Sequence, residues 1–454
     1  MKRKIISTIL TVALVIGLIF GVTGTSALAA DEYINASAIT AGADRLVETQ
    51  NADGGWDWGD MAGVTSITEN PSPKNTVGVT ALGLIEGYRI SGNQAYLDAA
   101  VLAAGYIEVN LLAGERVRGP ALTFLSELAD ITGDATYTDM AVTAWETLLA
   151  NLAWSADGTA TAFGNYILSV RNSQLAMWDI NLYVVGLMAI GKTADAVELA
   201  TVTETNIDTY LDETLDYYSL ALSGAIETYA LTGVNTEDIA GLATALISLG
   251  NIDVQSTAYA AMALLRTNTG VTDYISYIVA AQDATGGFID TDSSEYTEAD
   301  SESIQALYDY AVVYKAAQDA QEQAELDAEE AAELAEETQW RETHHVFTMS
   351  GGSSKGGMTP DGVVTETVVL TGTYGNNQYK LQIDEGCKVS SRNLFFLEIT
   401  DTKLVSSFGA CKFSKPVTVG KLVNGEWVVI GTITEIVEDP GEGARMITGT
   451  AIFQ

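Results

Sequence analysis

The first 343 residues contain neither cysteine nor histidine. That absence excludes Ser-His-Asp and Cys-His catalysis from this part of the chain, and any zinc site built from Cys and His. Basic residues are scarce: 22 Lys and Arg stand against 60 Asp and Glu, for a formal charge of −38. Such a surface repels nucleic acid and anionic membranes. Apolar runs long enough to span a bilayer are missing after residue 30. Before it, Lys2, Arg3 and Lys4 precede an apolar run that ends in Ala27-Leu28-Ala29. This reads as a signal peptide over 1–30, with an uncleaved anchor as the alternative. Without its three cations the mature chain carries about −41. The expected location is secreted, periplasmic or on the cell surface, with no transmembrane segment in the mature chain and no nucleic-acid partner. In an oxidising compartment Cys387 and Cys411 are expected to form one disulfide, worth about 3.5 kcal/mol in the chain-entropy model. His344 and His345 read as a polar pair in a linker.

Hydrophobic residues make up 47% of the chain, which excludes global disorder. Helix formers dominate to about Glu337, and Val, Thr, Gly and Phe take over after about Val346. Within the first part a pattern recurs. "GLIEGYRISGNQAYLDAA" (Gly83 to Ala100), "LSELADITGDATYTDMA" (Leu125 to Ala141) and "GAIETYALTGVNTEDIA" (Gly224 to Ala240) each read as helix, glycine stop, turn and new helix. About twelve helices are expected, starting near Ile34, Thr76, Ala95, Gly119, Thr136, Leu175, Ala194, Leu215, Thr236, Val254, Val271 and Ser301. Alternate segments are apolar on most sides or carry a wetter face, which sorts them into an inner and an outer ring. The expected fold class is multidomain α plus β. An (α/α)6 toroid over 31–315 is followed by an acidic helical linker over 316–343. An antiparallel β-sandwich or barrel occupies 344–454. An open helical solenoid is the alternative for the first part.

Two short stretches repeat at the ends of the helical part: "QNADGGW" from Gln50 and "AQDATGGF" to Phe288. They resemble the glutamine-tryptophan repeats of the terpenoid cyclase and protein prenyltransferase superfamily, over about 31–315. The resemblance implies that these are structural clips in which Gln caps a helix, the glycines turn and the aromatic ring packs between helices. It also allows a test for chemistry. "DVQSTA" (Asp253 to Ala258) occupies the place of the superfamily's proton-donating D-x-D-D-T-A motif, but Gln255 stands where the acid should be. An amide cannot act as a general acid. A prenyltransferase-type zinc site has no Cys or His here, so no zinc is expected in the toroid.

What remains is carboxylate, arginine, tyrosine and tryptophan chemistry at one mouth, where the inner helices begin. The first hairpin offers Trp56, Asp57, Trp58, Asp60 and Asn75, and the second Arg116 and Arg118. The third offers Trp178, Asp179 and Asn181, and the fourth Asp216, Tyr217 and Tyr218. The fifth offers Asp253, Gln255 and Tyr259, and the last Asp290, Glu298 and Asp300. Rings that stack on sugars beside groups that bond hydroxyls make a saccharide cleft. The expected function is binding of a glycan or a compact hydrophobic molecule, without terpene cyclase activity. One alternative is a polysaccharide lyase or glycoside hydrolase acting through mouth carboxylates and arginines, with calcium held by Asp57, Asp60 or Asp179. Another is a non-catalytic surface or adhesion scaffold. The β domain shows no catalytic motif and reads as a binding or attachment module. Its placement after an α/α barrel resembles the layout of extracellular cobalamin carriers.

Overall fold

The computed structural model describes residues 33–64, 72–110, 117–151, 157–171, 173–214, 216–343, 346–349, 359, 361–374, 377–389, 396–399, 403–406, 411–438 and 447–450. The expected signal peptide and Arg116 lie outside these residues. No described helix is long and apolar enough to cross a membrane. The chain forms two compact units, Met1–Gln321 and Glu322–Gln454.

The helices of the first unit are α1 (Ala36–Glu48), α2 (Val77–Ser91), α3 (Gln94–Asn110), α4 (Gly119–Thr132), α5 (Thr136–Leu149), α6 (Ala160–Val170), α7 (Ser173–Ala189), α8 (Thr193–Tyr210), α9 (Tyr218–Thr232), α10 (Ile239–Leu249), α11 (Val254–Arg266) and α12 (Thr272–Ala281). The last, α13 (Thr297–Thr343), continues past the unit boundary. Twelve of them form the expected (α/α)6 toroid. The short α6 is additional: Thr159 caps it by accepting from Ala162 N at 3.2 Å, and it packs on α7 and α8. Helix α13 starts four residues before the expected Ser301, and its first turn carries Glu298 and Asp300, which suit the positive end of the helix dipole.

Burial separates the two rings. Helix α9 buries eleven of its fifteen residues, whereas its outer partner α10 buries two of eleven. The inner ring runs α2, α4, α7, α9, α11, each packed on the next, and α1, α3, α5, α8, α10 and α12 lie outside. Helix α13 closes the ring. On one side Ser301 Oγ accepts from Gly83 N (2.8 Å) and donates to Val79 O (2.6 Å) on α2. On the other, Tyr259 and Gln255 of α11 bond to Glu302. Small residues permit this close ring. A Cβ on Gly119 would lie 2.2 Å from Leu182 O, and one on Gly186 would lie 2.6 Å from Gly119 O.

The two repeated stretches are matching corners. Gln50 Nε2 donates to Gly54 O (3.1 Å) within its own turn and to Ala99 O (2.9 Å) of α3. Gln282 Nε2 donates to Gly286 O (2.9 Å) and to Ala38 O (2.8 Å) of α1, 244 residues away, so this corner ties the last hairpin to the first. Gly54 and Gly286 sit at φ 95° and 94°, and a Cβ on either would strike a backbone oxygen of the neighbouring outer helix. Trp56 and Phe288 fill the space behind, and both are fully buried.

The second unit holds β1 (Val346–Met349), β2 (Val368–Tyr374), β3 (Asn377–Ile383), β4 (Phe396–Ile399), β5 (Lys403–Ser406), β6 (Cys411–Val423), β7 (Glu426–Glu438) and β8 (Ile447–Thr450). They pair antiparallel in a closed barrel of order β1-β2-β3-β6-β7-β8-β5-β4. Asn424 and Gly425, both at positive φ, make the two-residue turn between β6 and β7. The expected Cys387–Cys411 disulfide is corrected here: Cys387 is a free, buried thiol. The Val389–Phe413 bridge sets Lys415 opposite Cys387, and the thiol lies 3.8 Å from Lys415 O. Cys411 lies four residues before Lys415, at the start of β6 and about 13 Å away at strand rise, beyond disulfide reach.

Candidate functional site at the inner-helix N-termini

Several of the sequence candidates are occupied in holding the fold. Trp56 donates its indole N–H to Leu46 O (2.8 Å) and offers no open ring face. Asp57 Oδ1 accepts from Asn51 (2.7 Å), and Asp60 Oδ1 accepts from the N–H of Ala62 and of Glu295, both at 3.0 Å. Asp253 is the N-cap of α11, bonded to Ser256 N (2.6 Å) and Ser256 Oγ (2.7 Å). Asp179 is paired with Arg171. The three aspartates considered for calcium therefore have other partners, and no group of three or more metal-ligating side chains is arranged to hold an ion among the described residues. Asp290 serves a surface turn. Asn75, Asp216 and Tyr217 are exposed, and Tyr217 begins α9 at φ 65°, a left-handed conformation uncommon for a bulky residue. Tyr218 is half-buried beside the core.

Asp300 supports the corner. Phe288 N donates to its Oδ1 (2.6 Å). Its carboxyl lies beside Glu295, which is itself held by buried Arg45 (Nε to Oε1 2.7 Å, Nη2 to Oε2 3.2 Å). Burial, then the Glu295 charge, push Asp300 well above the usual carboxylate range. Its Oδ2 has no hydrogen-bond partner among the described residues.

The remaining residues converge. Trp58 and Arg118 precede α2 and α4, Trp178 lies on α7, Gln255 and Tyr259 on α11, and Glu298 and Glu302 one turn apart on α13. Glu302 is 2% exposed and accepts from Tyr259 Oη (2.7 Å) and Gln255 Nε2 (2.8 Å). Burial and the Glu298 charge hold its carboxyl well above the usual range, so it stays neutral. Trp178 stands edge-on to Tyr259 at 5.4 Å, and its buried indole N–H approaches the Tyr259 hydroxyl without closing a hydrogen bond. Glu298 is only half-buried in accessible surface, yet desolvation raises its pKa to about 7, against the nearby polar indole N–H of Trp58 and the positive charge of Arg118. A carboxyl poised near neutrality can both give and take a proton. Arg118 is half-buried, and no carboxylate lies within ion-pair distance of it among the described residues.

One to two turns further along the inner helices lies a second tier that the sequence reading passed over. Asn181, assigned to the mouth from the sequence, belongs here: it is buried, donates to Glu227 Oε2 (3.1 Å) and accepts from Thr228 (3.0 Å). Arg266 bonds Glu227 (3.3 Å), and Arg89 bonds Glu86 (3.2 Å) and Glu127. Burial lifts Glu86 to about 8 and Asp309 to about 6. The signal was a charged residue inside otherwise apolar inner helices, as in "GLIEGYR" and "SGAIETY", because such a residue is buried only when partnered.

No family model matches this chain, and no curated protein matches it. Three solved structures are similar to it. One is a possible member of the GH105 family from Klebsiella pneumoniae subsp. pneumoniae, at 12% identity and TM-score 0.42, over 61% of this chain and 93% of that one. Another is an unsaturated glucuronyl hydrolase specific for heparin, at 13% identity and TM-score 0.46, over 62% of this chain and 97% of that one. The third is a polysaccharide lyase, at 11% identity and TM-score 0.38, over 56% of this chain and 48% of that one. These matches correct the resemblance to the terpenoid cyclase and protein prenyltransferase superfamily. The Gln-Gly-Gly-aromatic corner carried that resemblance, and it is a local solution to joining neighbouring outer helices, with no chemistry of its own.

Proposed function

We propose that the protein cleaves an anionic glycan at the N-terminal mouth of its toroid, with Glu298 as general acid. The observation that supports this is the half-buried Glu298 carboxyl, raised to about 7 although it feels the positive charge of Arg118. Protonated Glu298 gives its proton to the departing glycosidic oxygen, and Arg118 stabilises the carboxylate that remains. In a chain of formal charge −38, a guanidinium with no carboxylate partner among the described residues is available to attract the substrate's own acidic group. Six inner-helix N-termini add positive potential at the same mouth.

A second reading, binding of a glycan without cleavage, is favoured by one feature. Asp57, Asp179 and Asp253 are capped or paired and Glu302 is buried, which leaves the exposed Asp216 as the mouth carboxylate without such a role, and no described contact draws it to Glu298 for a two-acid mechanism. The test is a screen of acidic oligosaccharides with wild type and Glu298→Gln, reading new reducing ends and ultraviolet absorbance. Cleavage lost in the variant supports the enzyme, and absorbing products assign elimination over hydrolysis. A thermal shift with the same glycans, equal in both proteins and without products, supports binding alone.

A further inference from the structure

The outer face of the β barrel carries an apolar patch built around a cation. Strand register places it. Lys380 of β3 stands opposite Gly420 of β6, and Gly420 stands opposite Val429 of β7, so all three point to one side of the sheet. Leu422 and Trp427, another opposed pair two residues along β6, point to the same side. The alternate positions of β6 point the other way, and there Val417 and Val419 are buried, so the patch lies outside the barrel. Trp427 is 37% exposed and Val429 is 62% exposed. Gly420 gives the patch its shape. A Cβ there would lie 3.0 Å from both Cγ and Cε of Lys380, so the lysine stem rests directly on the glycine. It crosses β6 and brings its ammonium to 5.3 Å from the centre of the Trp427 ring. No carboxylate lies within ion-pair distance of Lys380 among the described residues. The patch spans three strands, about 10 Å at the usual strand spacing.

We infer that this face is an anchoring site for an acidic glycan, in which the ring of a uronic acid residue stacks on Trp427 and Val429 and its carboxylate pairs with Lys380. The inference rests on the proposed substrate class and adds a second site, on the other unit, for the same polymer. Charge complementarity selects that occupant. The chain has a formal charge of −38, yet residues 344–454 hold nine of its 22 Lys and Arg against eleven of its 60 Asp and Glu. The barrel is therefore the part of the chain that an anionic polymer approaches with least repulsion. A wholly apolar partner would desolvate the lysine and give nothing in return. A uronic acid matches both halves of the patch, with C–H groups on its ring face and a carboxylate at its edge.

Affinity electrophoresis of the full chain in gels containing polygalacturonate tests the site without any need for cleavage. Wild type and Glu298→Gln are expected to be retarded equally, so the anchoring stands or falls apart from the cleavage proposal. Trp427→Ala is expected to weaken retention at least about tenfold, as loss of a central interface tryptophan does. Lys380→Gln keeps a long stem and removes the charge. It should weaken retention about three- to tenfold and make the remainder nearly independent of salt, because screening then has no ion pair to act on. It also keeps the test decisive if Trp427→Ala does not fold. Val428→Ala is the control: this side chain is exposed but points to the opposite side of β7, and its loss should leave retention unchanged. A wild type that polygalacturonate does not retard overturns the proposal. So does a folded Trp427→Ala or Lys380→Gln protein retarded like wild type, or a Val428→Ala loss as large as that of Trp427→Ala. Binding that depends on Trp427 to phosphatidylglycerol vesicles, with none to the polymer, would assign the face to a lipid surface instead.

Discussion

The charged tier inside the toroid makes stability depend on pH in a direction opposite to that of ordinary surface carboxylates. Glu86 is 8% exposed, and burial raises it from an ordinary 4.5 to about 8 although Arg89 is beside it. Folding therefore holds a proton that the unfolded chain has already released. A raised carboxyl pKa means that stability is greatest below the unfolded value, falls as pH rises from about 4.5, and stops falling above about 8. Each tenfold in proton affinity is worth about 1.4 kcal/mol, which sets a ceiling near 5 kcal/mol. Arg89 is about a quarter exposed and its partner Glu127 likewise, so solvent screening brings the working figure to about 2–3 kcal/mol. Glu86→Gln imitates the protonated form. It should match the wild type within about 1 kcal/mol at pH 5 and exceed it by about 2–3 kcal/mol at pH 9. Urea unfolding followed by circular dichroism at 222 nm (about the helical minimum), at intervals between pH 5 and 9, measures both curves. A difference between the two proteins that does not change with pH would refute the buried, protonated Glu86. So would a wild type that gains stability between pH 6 and 8.

The other predictions concern the mouth, the corners and the barrel. Glu298→Gln should lower cleavage of a responsive glycan at least a hundredfold without lowering the melting temperature, and wild-type activity should fall as pH rises through about 7, where the acid loses its proton. Gly286→Ala places a methyl 2.3 Å from Ala41 O at φ 94°, so it should cost about 2 kcal/mol or more and lower the melting temperature by several degrees. Gln282→Ala should cost about 1 kcal/mol, read in the same melt, because it removes the bond to α1 but leaves the backbone turn in place. A reducing agent should leave the unfolding of the barrel unchanged, and Cys387 should react with a thiol reagent only on denaturation.

The parts of this molecule that were legible in its sequence are those set by local rules. Glycine stops at Gly92, Gly133 and Gly233 adopt the left-handed cap that ends α2, α4 and α9, and they divided the chain into hairpins before any packing was known. All-round apolarity identified the inner ring, because only a helix with neighbours on every side can afford it. The short α6 escaped because eleven residues capped by one threonine leave little periodic signal. At the mouth, residue type proved a weaker guide than position. Asp57, Asp60, Asp179 and Asp253 have the chemistry of ligands, but each is taken by an N–H or a guanidinium that lies near it in sequence or across a corner. Glu298 has the same chemistry and escapes this fate because α13 begins four residues earlier than its sequence suggested. That shift moves Glu298 from a loop into the first turn of a helix that is packed in the inner ring. Desolvated by the ring of helices, with only the Trp58 indole and the Arg118 charge opposing, it keeps its proton near neutrality. The chemistry proposed for this protein thus turns on where one helix starts, and the tie between residues 57–61 and 295–297 is what fixes that start.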